Sequence, residues 1–195
     1  SIAKYANNPN IANNLRNAFP YPYTLADAWA YISFCIDNEK IGRYCRAIEI
    51  NGEAVGSIGI FQQLDIYKNC GELGYWLGEP YWGNGIMYQA ITMLCDYVFD
   101  TTEITRIYAE PFARNTGSRH VLEKAGFTLE GIMRQGAVKN GIYEDWCMYR
   151  LLKEERKNHD EVCMQRLRLG IRRERRLPGG RHRPRYALER GAGGF

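Results

Sequence analysis

The chain has 195 residues, 45% hydrophobic and 25% charged, the balance of a folded globular protein rather than a disordered one. Net charge is +4, but residues 166–195 hold ten Arg and two Glu, so a tail of net +8 follows a body of net −4. The mildly acidic body suits a cationic substrate better than a nucleic acid, and length alone suits one domain of ordinary size. The longest apolar stretch, Ala28 to Ile36, has nine residues, far short of the ~20 that a membrane-spanning helix needs. Residues 1–20 lack the basic-then-apolar layout of a secretory signal. The six cysteines, Cys35, Cys45, Cys70, Cys95, Cys147 and Cys163, form no C-x-x-C pair and no zinc spacing with the histidines, so a reducing cytoplasm and no metal are expected.

In chain order, residues 2–17 read as a helix with Ile2, Ala3, Ile11, Ala12 and Leu15 on its apolar side. Two prolines end it within Phe19–Tyr23. Thr24 and Asp27 form a capping-box-like start for a second helix that runs to about Asn38. Strands at Arg43–Ile50 and Glu53–Phe61 flank Asn51-Gly52, a dipeptide that favours a tight hairpin. A strand at Gly71–Leu77 precedes the segment Gly78–Gly85. Ile86, Ala90, Ile91, Leu94, Val98 and Phe99 then recur at helical spacing. A strand at Thr105–Ala109 leads to a helix at Thr116–Ala125, stopped by Gly126. A long hairpin, Phe127–Lys139 with Ile142–Leu152, turns at Asn140-Gly141. The order α α β β β α β α β β is a mixed α/β single domain. Residues 1–155 are expected to form it, with 156–195 as an Arg/Gly-rich extension, partly helical or disordered, in which Lys157–Leu169 is the stretch that could extend as a helix.

The informative stretch runs from Glu72 to Met87. A strand ends, a glycine-containing turn follows, and a helix begins. Gly83 and Gly85 let the backbone approach a ligand closely, and the new helix offers unpaired N–H groups with partial positive charge. Together these make a phosphate or pyrophosphate site, although a plain strand-to-helix turn has the same glycines. No Walker loop is present, and Tyr88 stands where a dinucleotide fingerprint needs its third glycine.

A second stretch runs from Glu110 through Asn115 and Ser118 to Gly126-Phe127. The two in this order closely resemble the GNAT superfamily of N-acetyltransferases, in its RimJ/RimL-like branch, over about residues 1–153. Phe19–Thr24 and the Tyr143–Tyr149 strand are similar to that branch as well. The resemblance implies a GNAT-type fold, a central, mixed, mostly antiparallel sheet flanked by helices. It implies acetyl-CoA as co-substrate and a primary amine as acceptor, either a protein N-terminus or a small molecule. Trp82, Gly83, Asn84, Gly85, Ile86 and Met87 then match the segment whose main-chain N–H groups hold the CoA pyrophosphate. The strand matching Gly74–Gly78 splays from its neighbour so that pantetheine lies along it as an added strand. Asn115 matches an asparagine that binds the pantetheine arm, and Ser118 a serine near the sulfur.

The chain departs from that pattern in four places. Trp82 or Pro80 replaces the usual Gln or Arg that opens the glycine turn. Leu122 stands where many members carry the tyrosine that protonates the leaving thiolate. Ala137 stands where RimL-like members carry a glutamate. The family's first strand has no counterpart, because the chain opens inside its first helix.

Acetyl transfer needs a neutral amine. Deprotonating a side-chain ammonium at pH 7 costs about 4.6 kcal/mol, against about 1–1.4 kcal/mol for an N-terminal amine, so a carboxylate relay is the expected solution. Glu110 is the first candidate, matching the base of some peptide-acetylating relatives, and Glu72 the second. Main-chain N–H groups near Leu77 and Gly78 are the expected oxyanion donors, with Ser118 as the proton donor to sulfur. Ser118 and Asn115 also suit simple helix-start roles, and His120 is assigned an exposed helix face. Phe19–Tyr23, Tyr143, Glu144, Asp145 and Trp146 are the candidate acceptor wall, since aromatics with carboxylates bind cations, although ordinary strand packing and turn chemistry suit them as well, Trp146 in particular. The competing reading is a non-catalytic, ribosome- or nucleic-acid-binding protein acting through the Arg-rich tail. Acceptor identity and oligomeric state, a homodimer included, stay open at this stage.

Overall fold

The structure is a computed structural model that describes residues 1–38 and 41–156. Helices α1 (Ile2–Ala6), α2 (Pro9–Ala12) and α3 (Leu25–Asn38) precede strands β1 (Arg43–Ile50), β2 (Glu53–Gln62) and β3 (Cys70–Leu77). Helix α4 (Ile86–Thr101), strand β4 (Arg106–Ala109), helix α5 (Thr116–Lys124) and strands β5 (Thr128–Lys139) and β6 (Ile142–Leu152) follow. The six strands form one sheet in the order β1-β2-β3-β4-β6-β5. Its neighbours are antiparallel except β3 with β4. The mixed, mostly antiparallel architecture expected from the sequence is therefore present.

Local chemistry explains the elements. Both hairpins turn on an Asn-Gly pair with positive φ at each residue, 52° and 79° at Asn51-Gly52 and 52° and 77° at Asn140-Gly141, as tight hairpin turns require. The capping box at α3 is reciprocal: Thr24 N–H donates to Asp27 Oδ2 at 2.7 Å, and Asp27 N–H to Thr24 Oγ1 at 3.2 Å. Helix α5 ends with Phe127 N–H on Leu122 O and Gly126 N–H on Glu123 O, each 3.0 Å, a Schellman closure around Gly126 at φ 92°.

The single helix expected over residues 2–17 is corrected to two short ones. Pro9 has no N–H to continue α1, and the residue before it is driven extended; Asn8 has φ −139° and ψ 122°. Asn8 then caps α2 by accepting from Asn10 N–H at 2.8 Å.

Alternation along β3 divides the core. Leu73 and Leu77 join Ile91, Leu94, Val98 and Phe99 of α4 and Leu122 of α5 in one buried cluster. Trp76 faces the other way, into a cluster with Ala6, Ile11, Tyr23 and Ala28. The sheet thus separates an α4/α5 side from an α1–α3 side, and β3 lines both.

Candidate functional site

The parallel pairing of β3 with β4 covers only Cys70–Glu72 against Arg106–Tyr108. β3 runs on to Leu77 while β4 stops at Ala109, so beyond Glu72 the ladder between the two strands is open and leaves a gap in the pairing. Gly78 N–H donates to Val55 O of β2 at 2.7 Å. The main-chain groups of an antiparallel strand point alternately to its two neighbours, so Trp76 and Gly74 also turn theirs to β2. Those of Tyr75 and Leu77 face the gap. This corrects one expectation: Gly78 has no N–H to spare for an oxyanion, and the donors on that edge are Tyr75 and Leu77.

Above the gap, Gly83 and Gly85 sit at φ 76° and 74°, where a side chain is strained. A Cβ at either position would meet nothing within 4 Å, so the loop needs glycine for its conformation, and the space over it is open. Gln89 N–H to Gly85 O, 3.2 Å, opens the α4 ladder. The N–H groups of Ile86, Met87 and Tyr88 precede it and have no helical acceptor, nor does a side chain cap the start. Trp82 and Asn84 brace the loop from within: Trp82 Nε1 donates to Leu77 O at 2.7 Å, and Asn84 Nδ2 to Trp82 O at 3.1 Å.

Across the gap, Asn115 Oδ1 caps α5 by accepting Ser118 N–H at 3.1 Å, which leaves its amide NH₂ available. Ser118 Oγ lies 2.7 Å from the Tyr75 hydroxyl. Burial pushes that phenol up to about 12. Leu122, which the resemblance matches to the family's tyrosine, is fully buried in the core. His120 is exposed.

On the opposite face of the sheet the two candidate bases come together. One Arg16 nitrogen, Nη2, lies 2.6 Å from Glu72 Oε1 and 2.7 Å from Glu110 Oε2. Burial raises the Glu72 carboxyl above its ordinary range; Arg16 pulls it back and Glu110 raises it further. Tyr108, beside them, is pushed up to about 12 by burial and by both carboxylates.

The expected acceptor wall is only partly assembled. Phe19 packs on Tyr23 at 4.8 Å between centroids and on Trp76 at 6.0 Å, a wall on the same face as Glu72. Ala113, Arg114, Gln135, Tyr143, Glu144 and Asp145 line a separate open cavity of about 340 Å³. The two carboxylates there are engaged, Glu144 with Arg114 Nε at 2.7 Å and Asp145 with Arg134 Nη1 at 2.8 Å. Trp146 lies against Gly136 and bridges to Phe112, a packing role.

The family described as the acetyltransferase (GNAT) domain matches residues 1–128. The chain is a GNAT-family protein.

Among its relatives, the probable N-acetyltransferase YjcK of Bacillus subtilis (strain 168) is 40% identical over 91 residues, 47% of this chain and 50% of YjcK. The ribosomal-protein-serine acetyltransferase of Escherichia coli (strain K12) is 32% identical over 97 residues, covering 50% and 54% of the two chains. This chain spans about half the length of these two curated relatives. A solved structure of the microcin C7 self-immunity acetyltransferase MccE, in complex with acetyl-CoA and AMP, superposes with a TM-score of 0.66. It is 25% identical, over 77% of this chain and 88% of that one.

In this GNAT chain, sequence reasoning missed Tyr75, Trp76 and Arg16. The two-residue period of β3 was the available signal for the first two, since it places Tyr75 and Trp76 on opposite faces of the gap-lining strand. Nothing local marks Arg16. Residues 157–195 lie outside the described residues, and with them the expected helix over Lys157–Leu169, Cys163 and the Arg-rich tail. Among the described residues, no helix is long and apolar enough to cross a membrane.

Proposed function

We propose that this chain is an N-acetyltransferase that moves the acetyl group of acetyl-CoA to a primary amine. The observation that carries the reading is the β3–β4 ladder that stops at Glu72–Tyr108 and leaves the rest of β3 unpaired on that side. One wall offers strand N–H groups at Tyr75 and Leu77, and the loop above offers the free N–H groups of α4. A diphosphate fits that loop chemically, since it needs several convergent donors and room near the backbone. Gly83 and Gly85 supply the room, and Ile86 and Met87 supply donors beside them. The pantetheine arm would pair with β3 as an added strand, with the Asn115 amide NH₂ as a donor from the other side. Similarity to YjcK, MccE and the ribosomal-protein-serine acetyltransferase supports acetyl transfer.

In this reading Glu110 and Glu72 take the proton that the acceptor ammonium must lose, directly or through water. Their place beside the Phe19–Tyr23–Trp76 wall gives a cation both charge and aromatic faces. Arg16 is 67% exposed at its side chain, so a cationic acceptor can displace it without unfolding anything. Ser118 serves the departing sulfur. Five free cysteines among the described residues suit a reducing compartment such as the cytoplasm.

Calorimetric titration with acetyl-CoA tests the cradle. Gly85→Glu places bulk and negative charge at the diphosphate position and is expected to abolish binding. Gly85→Asn, which tolerates left-handed backbone, controls for folding. Affinity unchanged in Gly85→Glu rejects the site. Thiol release over a panel of amines, with mass spectrometry of the product, then identifies the acceptor.

A further inference from the structure

Tyr75 joins the two walls of the gap. Its main-chain N–H faces the gap from β3, while its side chain crosses beneath to the first turn of α5. There the hydroxyl meets Ser118 Oγ at 2.7 Å and comes within 3.4 Å of the Ser118 main-chain oxygen. Ser118 is held a third time by its N–H to Asn115 Oδ1. Leu122, one turn further along α5, is sealed in the core, so it leaves the hydroxyl pair as the α5-side proton-bearing group at the gap.

Two hydroxyls at this distance share one hydrogen, and the other is free to point elsewhere. The one phenol hydrogen has two acceptors in reach, Ser118 Oγ at 2.7 Å and the Ser118 main-chain oxygen at 3.4 Å; the shorter contact is the stronger one, and a phenol is the stronger donor of the two hydroxyls. When Tyr75 donates to that oxygen, the Ser118 hydrogen cannot turn back toward Tyr75.

We propose that Tyr75 is a positioning residue for acetyl transfer: its hydroxyl donates to Ser118 Oγ and so turns the Ser118 hydrogen into the gap, toward the departing sulfur. This rests on the acetyl-transfer reading above. As the carbon–sulfur bond breaks, its electron pair stays on sulfur, and Ser118 O–H donates a hydrogen bond to that charge. The amine loses one proton and the thiol gains one, so the exchange through solvent balances.

The test uses the full chain, acetyl-CoA and hydroxylamine, a small amine already neutral at pH 7 that bypasses acceptor recognition and the carboxylates. Tyr75→Phe keeps the ring and removes only the hydroxyl. It is expected to lower kcat about 10-fold, less than the roughly 100-fold or more of a group that itself transfers the proton, with KM and calorimetric Kd for acetyl-CoA within about twofold. Ser118→Ala is expected to lose a similar factor. The double variant should lose no more than the larger single loss, because the two hydroxyls act as a unit. A purely structural role would instead lower Tm and weaken acetyl-CoA binding along with turnover. Unchanged kcat in Tyr75→Phe overturns the inference, and so do multiplicative losses in the double variant. An unaltered chain that does not bind acetyl-CoA overturns the acetyl-transfer reading, and this inference with it; intact binding confines any failure to Tyr75.

Discussion

One nitrogen of Arg16 serves two carboxylates, and this sets the chemistry of both. Glu72 feels opposing effects: desolvation raises its carboxyl, Arg16 lowers it, Glu110 raises it, and Arg43 lowers it by less. Arg16→Ala removes the larger lowering influence, so Glu72 titrates at higher pH. If the pair accepts the acceptor's proton, the acidic limb of kcat/KM moves to higher pH in this variant, and a pH–rate profile reads the shift. The sign for stability follows as well. A carboxyl raised by folding binds its proton more tightly in the folded chain, so its contribution declines as pH rises through the folded value. Arg16→Ala should therefore lose more Tm at pH 7 than at pH 4. Glu110→Gln is expected to lower kcat about 100-fold, and a wild-type rate would remove Glu110 from the mechanism.

At the scale of elements, the helix starts do the shaping. α4 begins on a left-handed glycine without a side-chain cap, and its first donors stay open to a ligand. α5 begins on Asn115, whose oxygen is spent on Ser118 N–H while its nitrogen is not. Asn115→Ala should cost about 1 kcal/mol of stability through the lost cap, visible as a Tm drop of about 2–4 °C for a domain of this size. It should also weaken acetyl-CoA binding, which separates the two uses of one side chain. Asn115→Ser, which restores a cap and not the amide, is expected to recover Tm but not affinity.

For the whole molecule, the gap in the pairing is a consequence of topology. A parallel neighbour between antiparallel pairs needs a crossover, and here α4 supplies it between β3 and β4. The ladder stops at Glu72–Tyr108, and the crossover helix starts above the opening. The described body closes on itself as far as Arg156, which pairs with Asp96 of α4 through two hydrogen bonds of 2.6 and 2.9 Å. Deletion of residues 166–195 is accordingly expected to leave thiol release from acetyl-CoA intact. Loss of turnover on that deletion would give the Arg-rich segment a part in the reaction.

The sequence by itself determined whatever depends on a few neighbouring residues. The Asn-Gly turns, the Thr24–Asp27 box, the Gly126 closure and the glycine loop after β3 each answer a local backbone demand. They can be read from adjacent letters, whereas the mixed sheet and the candidate site followed from the family resemblance that the two motifs carry together. The break at Pro9 was equally local, and the helical spacing of residues 2–17 hid it. Only the tertiary structure decided which groups meet. Arg16 reaches Glu110 across 94 positions of sequence, and Tyr75 reaches Ser118 across 43. Strand pairing also fixed that Gly78 N–H belongs to β2 while Tyr75 and Leu77 face the gap. Such contacts follow from register and packing over the whole sheet, a long-range arrangement that no local pattern encodes.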